Sequence, residues 1–242
     1  MAWHIAFIFN FASVALVYGG SYALLYGQNA RAALSQHKFN PQYPSDALVS
    51  LEIRRTLISV LVCCLYEVGI TSFCLPPPPH ANTVTTAAAA AAAVCTAVGL
   101  LLWSDAHFYF VHRLLHEVPA LYRHVHKVHH ESHNPDPWSG LSFHPVEAAL
   151  YFSSLCIACV LPVPHWAFWV HKTALLIAPA NGHHGHDVVV MPQLFGSEHH
   201  YLHHAHFDCN YGSPTPFWDW ALGTQRRRAG TRACGTAAKK GD

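Results

Sequence analysis

The sequence is short of charge. Asp, Glu, Lys and Arg supply only 11% of its 242 residues, against about 25% in ordinary soluble domains. With a formal net charge of +1, no basic face is available to neutralise a phosphate backbone, which argues against nucleic acid as a partner. The opening MAWHIAFIFNFASVALVYGG lacks the basic residues that begin a cleavable signal peptide, and reads as a span that is kept. Cysteine is present but not arranged. Cys63, Cys64, Cys74, Cys95, Cys156 and Cys159, six of the eight, sit in apolar runs. That placement argues against a disulfide framework or a zinc ribbon and leaves small buried hydrophobes. The CxxC of Cys156 and Cys159 is read as packing.

Where charge is missing, the chain reads as membrane. Trp3 to Tyr26 is free of it and exceeds the roughly 20 residues that cross a bilayer. Residues 56 to 104 hold one charged residue, Glu67, and PPPPH at 76–80 divides them into spans near 56–75 and 82–104. The second opens on seven alanines at 87–93, which are weakly apolar, and leans on VGLLLW behind them. A last apolar stretch, 148–181, is broken by PVPHW, and each half is too short to span, so a helical hairpin is expected. Glu67 is expected either to line a tunnel or to bond between helices.

The basic residues orient these spans. Arg31, Lys38, Arg54 and Arg55 lie between the first two spans, and Arg113, Arg123 and Lys127 follow the third. The rest follow the hairpin, so one arrangement puts 13 of the 14 on the cytoplasmic side. Lys172, inside the hairpin, is expected to snorkel. Parity then puts residues 104–147 and 182–242 on one face. The expected fold is an all-α membrane protein of about three transmembrane helices plus a short apolar helical hairpin, under a cytoplasmic helical cap. It divides into a transmembrane region (1–103), a catalytic domain containing the hairpin (104–225) and a basic tail (226–242).

The cap is where histidine accumulates; the chain has 22. HRLLH holds His112 and His116, HKVHH holds His126, His129 and His130, NGHHGHD holds His183, His184 and His186, and HYLHH holds His200, His203 and His204. On a helix, positions i, i+3 and i+4 share a face, so each box is expected to aim its rings at one point. Imidazole suits zinc, copper, iron and nickel, and eight to ten convergent rings suit two ions with open positions. Of the nearby acids, Glu117, Glu131, Asp187 and Glu198 are expected to orient ligands rather than bind metal. His4, His37, His80, His165 and His171 read as structural or interfacial. His107, His124, His133, His199 and His206 stay open between the two roles.

HRLLH, HKVHH, SFHPVE and HYLHHAHFDCNYG, closed by FWDWALGT, together resemble the fatty acid hydroxylase and sterol desaturase superfamily over roughly residues 100–225. The resemblance implies a non-haem centre of two iron ions that uses O2. Electrons would come from NAD(P)H through a b-type cytochrome and its reductase, and a C–H bond of a lipid from the bilayer would be oxidised. The ligands it implies are His112, His116, His126, His129, His130, His200, His203 and His204, with one from the 182–186 cluster. His183 is chosen there because the family places a ligand shortly before a Gly–aromatic–acid triplet. Here the triplet is GHD, ending in Asp187, with His186 in the aromatic place, so His184 or His186 can substitute. His144 matches a family histidine that is a ligand or a neighbour of one, and Asn210 is expected to bond a ligand. No catalytic residue beyond the ligands is implied, and sterol, fatty acyl and sphingolipid substrates all fit, by hydroxylation or desaturation.

Two other classes compete. A metal-ion transporter keeps its ligands near the bilayer midplane in broken helices, whereas these boxes lie outside the charge-free runs. A b-type haem protein needs two or four histidines and leaves most unexplained. Trp138 and Phe143 are expected to anchor at the membrane interface rather than to line a lipid pocket, and FWDW to be the contact of cap with membrane. Lys239 and Lys240 in AAKKGD resemble a dilysine retrieval signal, which points to the endoplasmic reticulum.

Overall fold

The computed structural model describes residues 3–75, 87–188 and 197–227. PPPPH and the dilysine tail lie outside the described residues. The chain enters through α1 (Trp3–Val14), a π-helical turn (Ala15–Gly19) and α2 (Gly20–Tyr26), then a short α3 (Gln28–Leu34). The long α4 (Asp46–Phe73) and α5 (Ala87–Glu117) follow, then α6 (Pro119–His124) and two 3-10 segments, His126–Glu131 and Pro137–Leu141. The hairpin is α7 (Pro145–Phe152), a 3-10 turn (Ser153–Cys156), α8 (Ile157–Val160) and α9 (His165–Gly182). Helices α10 (Ser197–His206) and α11 (Phe217–Leu222) close the described chain, which contains no strand.

Three stretches, His4–Tyr26, Asp46–Phe73 and Ala87–Glu117, are long and apolar enough to cross a membrane, and Pro145–Val160 is a shorter apolar helix. Their outer faces leave Leu16, Leu65, Val94 and Leu102 exposed, which suits lipid and not water. Two of these helices are longer than the apolar runs announce. Ser45 caps α4, its Oγ accepting from the Leu48 N–H at 3.2 Å, and Asp46 sits in the first turn where the helix dipole favours it. Helix α5 meets no proline or glycine between Gly99 and its end, so the third span continues unbroken into box one.

The core packs Tyr18, Val60, Cys63, Phe152, Leu155, Phe168 and Leu176 between α1, α4 and the hairpin. Pro179 inside α9 has no N–H, which frees the Leu175 carbonyl one turn earlier. The Tyr151 hydroxyl donates to that carbonyl at 2.8 Å, and Tyr18 donates to the Leu176 carbonyl at 3.0 Å. Gly140 lies against the same kink: a Cβ there would meet the Pro179 carbonyl at 2.7 Å. The second 3-10 segment, Pro137–Leu141, is thereby pressed onto α9.

Four expectations change here. Lys172 does not snorkel. It is fully buried, with Nζ 2.6 Å from Asn10 Oδ1 and 3.2 Å from Glu67 Oε2, because a carboxylate is within reach inside the bundle. Glu67 therefore bonds between helices, also accepting from Asn10 Nδ2 at 2.7 Å. Cys74 and Cys159 form a disulfide, with Cα atoms 4.9 Å apart; α4 and α8 end side by side, a proximity that apolar composition conceals. Of the other four, Cys63 and Cys64 are buried, whereas Cys95 and Cys156 are exposed. Trp138 and Phe143 pack inside, against Tyr18 (5.8 Å between ring centroids) and His129 (5.0 Å).

Candidate metal centre

Two groups of histidines assemble where α5, the first 3-10 segment, the end of α9 and α10 meet. One comprises His112, His116, His126, His130 and His203; the other comprises His129, His183, His200 and His204. Within each group the candidate ligand atoms lie within 4.8 Å of one another. In the first, His130 Nε2 is 3.1 Å from His116 Nε2, 3.0 Å from His126 Nε2 and 3.1 Å from His203 Nε2. In the second, His183 Nε2 is 2.9 Å from His200 Nε2 and 3.3 Å from both His129 Nε2 and His204 Nε2.

The boxes do not each aim at one point. HKVHH is a 3-10 segment, and it sends His126 and His130 to one group and His129 to the other. On α10 the division is mirrored, with His203 in the first group and His200 and His204 in the second. In both boxes the i, i+4 pair stays together while the i+3 ring turns away. Only HRLLH, on the straight end of α5, keeps both rings in one group.

The far side of several rings is held. His112 Nδ1 lies 2.8 Å from the Tyr211 carbonyl, His203 Nδ1 2.7 Å from that of Cys209, and His183 Nδ1 2.8 Å from that of Pro179. A carbonyl only accepts, so each Nδ1 carries the ring proton and each Nε2 is a bare lone pair. Glu147 does the same for His126, Oε1 to Nδ1 at 2.7 Å. Burial, followed by the neighbouring rings, holds His126, His129, His130, His200, His203 and His204 well below the ordinary histidine pKa. Burial likewise lowers His183 to about 3. The rings are neutral at pH 7.

This donor set fits metal. His112 Nε2 is buried with no partner, and neutral rings crowded Nε2 to Nε2 cannot satisfy one another with the protons available. A cation at the centre of each group satisfies all of them. The groups border an apolar cavity. His112, His126, His129, His183 and His200 form one wall; Phe108, Val111, Phe143, Tyr151 and Leu175 line the rest, with Ser104 and His107 further along α5.

The structure does not bring every candidate to the groups. His144 caps α7, its Nδ1 accepting from the Val146 N–H at 3.2 Å. His184 and His186 are buried but face each other: His186 Nδ1 donates to the His184 carbonyl at 2.7 Å. They sit where Gly185, at φ +71, lets the chain pass the Pro135 carbonyl. Asp187 is exposed and its N–H bonds the His37 carbonyl at 2.6 Å. Asn210 bonds backbone, the carbonyls of His199 and Arg226 at 3.0 Å each, and no ring of either group.

The acids are corrected as well. Glu117 pairs with Arg113 and Glu131 with Arg55, both on the surface. The carboxylate that holds a ring is Glu147, missed although it is the one acid in the apolar run of α7. Asp219, in FWDW, was also missed. Its Oδ1 accepts from the Tyr211 N–H at 2.8 Å and its Oδ2 from the Gly212 N–H at 2.7 Å and His199 Nε2 at 3.0 Å. That clamp fixes the strand of chain whose carbonyls hold His112 and His203.

A family profile described as Fatty acid hydroxylase matches residues 97–224, just over half the chain. The chain belongs to the fatty acid hydroxylase family. All nine rings, Glu147 and Asp219 lie within the matched fatty acid hydroxylase region, which opens inside α5. Over 133 residues, 52% of this chain, it is 33% identical to 45% of methylsterol monooxygenase 1 of Rattus norvegicus. It is 29% identical over 131 residues to Delta(7)-sterol 5(6)-desaturase of Leptosphaeria maculans, covering 36% of that protein. Lathosterol oxidase of Rattus norvegicus matches at 31% identity over 130 residues and 43% of its length. The chain thus spans less than half the length of each of these relatives. No solved structure matches it.

Proposed function

We propose that this chain is a membrane-bound oxidoreductase of lipid biosynthesis, which uses a di-iron centre, O2 and relayed electrons to hydroxylate or desaturate a sterol or fatty acyl lipid. The observation that carries the reading is the pair of histidine groups, of five and four, at the wall of an apolar cavity. His112, His116, His126, His130 and His203 would hold one ion, and His129, His183, His200 and His204 the other. Iron bound there would supply, with O2 and electrons, the oxidising power that an unactivated C–H bond requires.

The chain's own residues do the rest. Phe108, Val111, Phe143 and Leu175 give the hydrocarbon an apolar surface and exclude water from the reacting end. Glu147 and the carbonyls of Tyr211, Cys209 and Pro179 hold the tautomers that leave Nε2 free, as outer partners of metal-binding histidines do. The relatives named above act, by their names, on sterols, which supports a sterol among the lipid classes. Nε2 atoms 2.9 to 3.3 Å apart leave no gap for a porphyrin, which speaks against the haem alternative. An apolar cavity wall speaks against an ion path.

The orientation joins two independent features. Basic residues gather on the side of the metal groups, which favours the cytoplasm. From Arg55, whose guanidinium bonds Val128 and Glu131 beside the second box, α4 runs about 28 Å to Cys74, close to the thickness of a bilayer. The Cys74–Cys159 disulfide thus belongs to the opposite, oxidising compartment, as in a multi-pass protein of the endoplasmic reticulum. In sealed microsomes treated with a membrane-permeant reductant, the freed Cys74 and Cys159 thiols should resist an impermeant maleimide until the vesicles are opened. Labelling of intact vesicles would reverse the topology.

The purified protein is expected to carry iron near two per chain without a Soret band, and to convert a sterol only when O2 and a reduced b-type cytochrome with its NAD(P)H-dependent reductase are supplied. Metal transport into vesicles without lipid oxidation would sink the proposal.

A further inference from the structure

His107 belongs to neither histidine group, yet it lines the cavity they border. Its surroundings fix its chemistry. The Ser153 hydroxyl donates its single proton to the Leu150 carbonyl at 2.7 Å. At 2.9 Å from His107 Nε2 the same oxygen can therefore only accept, and Nε2 must carry the ring proton. An imidazole in apolar surroundings is neutral, so Nδ1 is a lone pair. Among the described residues nothing donates to it. One turn back on α5, the Ser104 hydroxyl also lines the cavity; it lies 3.0 Å from His171 Nδ1, whose Nε2 is 3.1 Å from Ser154 Oγ. Two polar side chains of α5, Ser104 and His107, thus line a mostly apolar cavity and are held from behind by His171 and Ser153, a feature that binding iron does not require.

We propose that His107, supported by Ser104, is a recognition subsite for the hydroxyl group of an uncharged lipid. Resting on the oxidase reading, the subsite narrows its substrate class: His107 Nδ1 accepts a hydrogen bond from the lipid O–H. Among the described residues no Lys or Arg lines the cavity, so a carboxylate or phosphate headgroup would be buried there without a counter-charge. His107 and His112 are about 7.5 Å apart along α5, which sets the hydroxyl and the carbon to be oxidised at the same end of the lipid. Ser153 is a positioning residue: it selects the ring tautomer without touching the substrate.

The test uses the full-length, iron-loaded protein in nanodiscs and measures binding by competition against radiolabelled lathosterol. The competitors are lathosterol and 1-hexadecanol, the methyl ether of each, and palmitate. One neutral hydrogen bond contributes about 0.5–1.5 kcal/mol, so each alcohol should bind roughly three- to tenfold more tightly than its ether. Palmitate should compete least. His107→Phe should bring alcohol and ether within about twofold of each other while the ethers bind as before. His107→Asn, which keeps an acceptor near the Nδ1 position, should preserve the preference, and Ser153→Ala should narrow it. Because the alcohol–ether comparison is made first in the wild-type protein, a variant that fails to fold does not remove the test. Equal binding of alcohol and ether by the wild type, or a preference that survives His107→Phe, overturns the subsite. If lipid oxidation continues in that case, the oxidase reading stands without it. Absence of iron and of any lipid oxidation overturns both.

Discussion

His129 and His130 are adjacent in sequence and serve different groups. A 3-10 turn advances about 120° per residue, enough to point neighbouring rings at separate centres from one short segment. His203→Ala removes a ring from the group of five and His129→Ala one from the group of four. Each is expected to lower bound iron from about two ions per chain to one or fewer, to abolish turnover, and to leave membrane insertion intact. Metal analysis of the purified variants checks this, and a variant that kept both ions and most of its turnover would show the ligand set to be wrong. Much at this scale was legible. Eight of the nine rings stand out by spacing, because imidazoles at i, i+3 and i+4 are rare unless something gathers them. Glu147 was not legible, since its role depends on α7 packing against a loop some twenty residues earlier in the chain. Nor was the choice among His183, His184 and His186. The end of α9 decides it: His183 is the C-cap, tied back to the Pro179 carbonyl by both its N–H and its Nδ1.

At the scale of elements, the metal groups are held by pieces that are short and poor in regular structure. The segment from Cys209 to Thr215 offers carbonyls to His112 and His203, and two carboxylates hold it in turn. Asp219 binds it at Tyr211 and Gly212, and Asp105 at the Thr215 N–H (2.9 Å) and hydroxyl (2.8 Å). Burial pushes the Asp219 carboxyl up, but its bonds from His199, Thr224 and Gly212 outweigh that and hold it below the ordinary aspartate range. A depressed carboxylate stabilises the fold above its unfolded pKa of about 3.9, and this contribution fades only as pH falls below that value. Asp219→Ala leaves two buried N–H groups without acceptors. It is expected to destabilise the protein by about 3 kcal/mol and to weaken iron binding with no ligand changed; thermal unfolding in detergent and metal content measure the two effects. The extents of α4 and α5 were not legible from hydropathy alone, because a cap in one and the lack of a breaker in the other carry the helix past its apolar stretch.

Across the whole molecule, one polar contact ties the bundle together in its apolar middle. Asn10 of α1, Glu67 of α4 and Lys172 of α9 meet there with almost no exposure. Charges removed from water are tolerated only in company, and breaking a buried pair by one partner costs about 3–5 kcal/mol. Lys172→Met is therefore expected to lose most folded protein, while Glu67→Gln combined with Lys172→Met recovers much of the loss. Yield and unfolding temperature of the single and double variants decide it, and equal behaviour of the two would show that the pair is not coupled. The sequence announced a charge inside each segment but not that the two charges were partners, since pairing across 105 residues is set by how the helices pack.

The divided boxes carry a last consequence. The turn at His126–Glu131 and helix α10 each give rings to both groups, so neither centre can be ordered alone. The first ion to arrive fixes the backbone that presents three rings of the other group, and the second then binds without that ordering penalty. Iron uptake by the apoprotein should therefore be cooperative, with singly loaded chains scarce at half saturation. A titration that fills the two sites independently would contradict it.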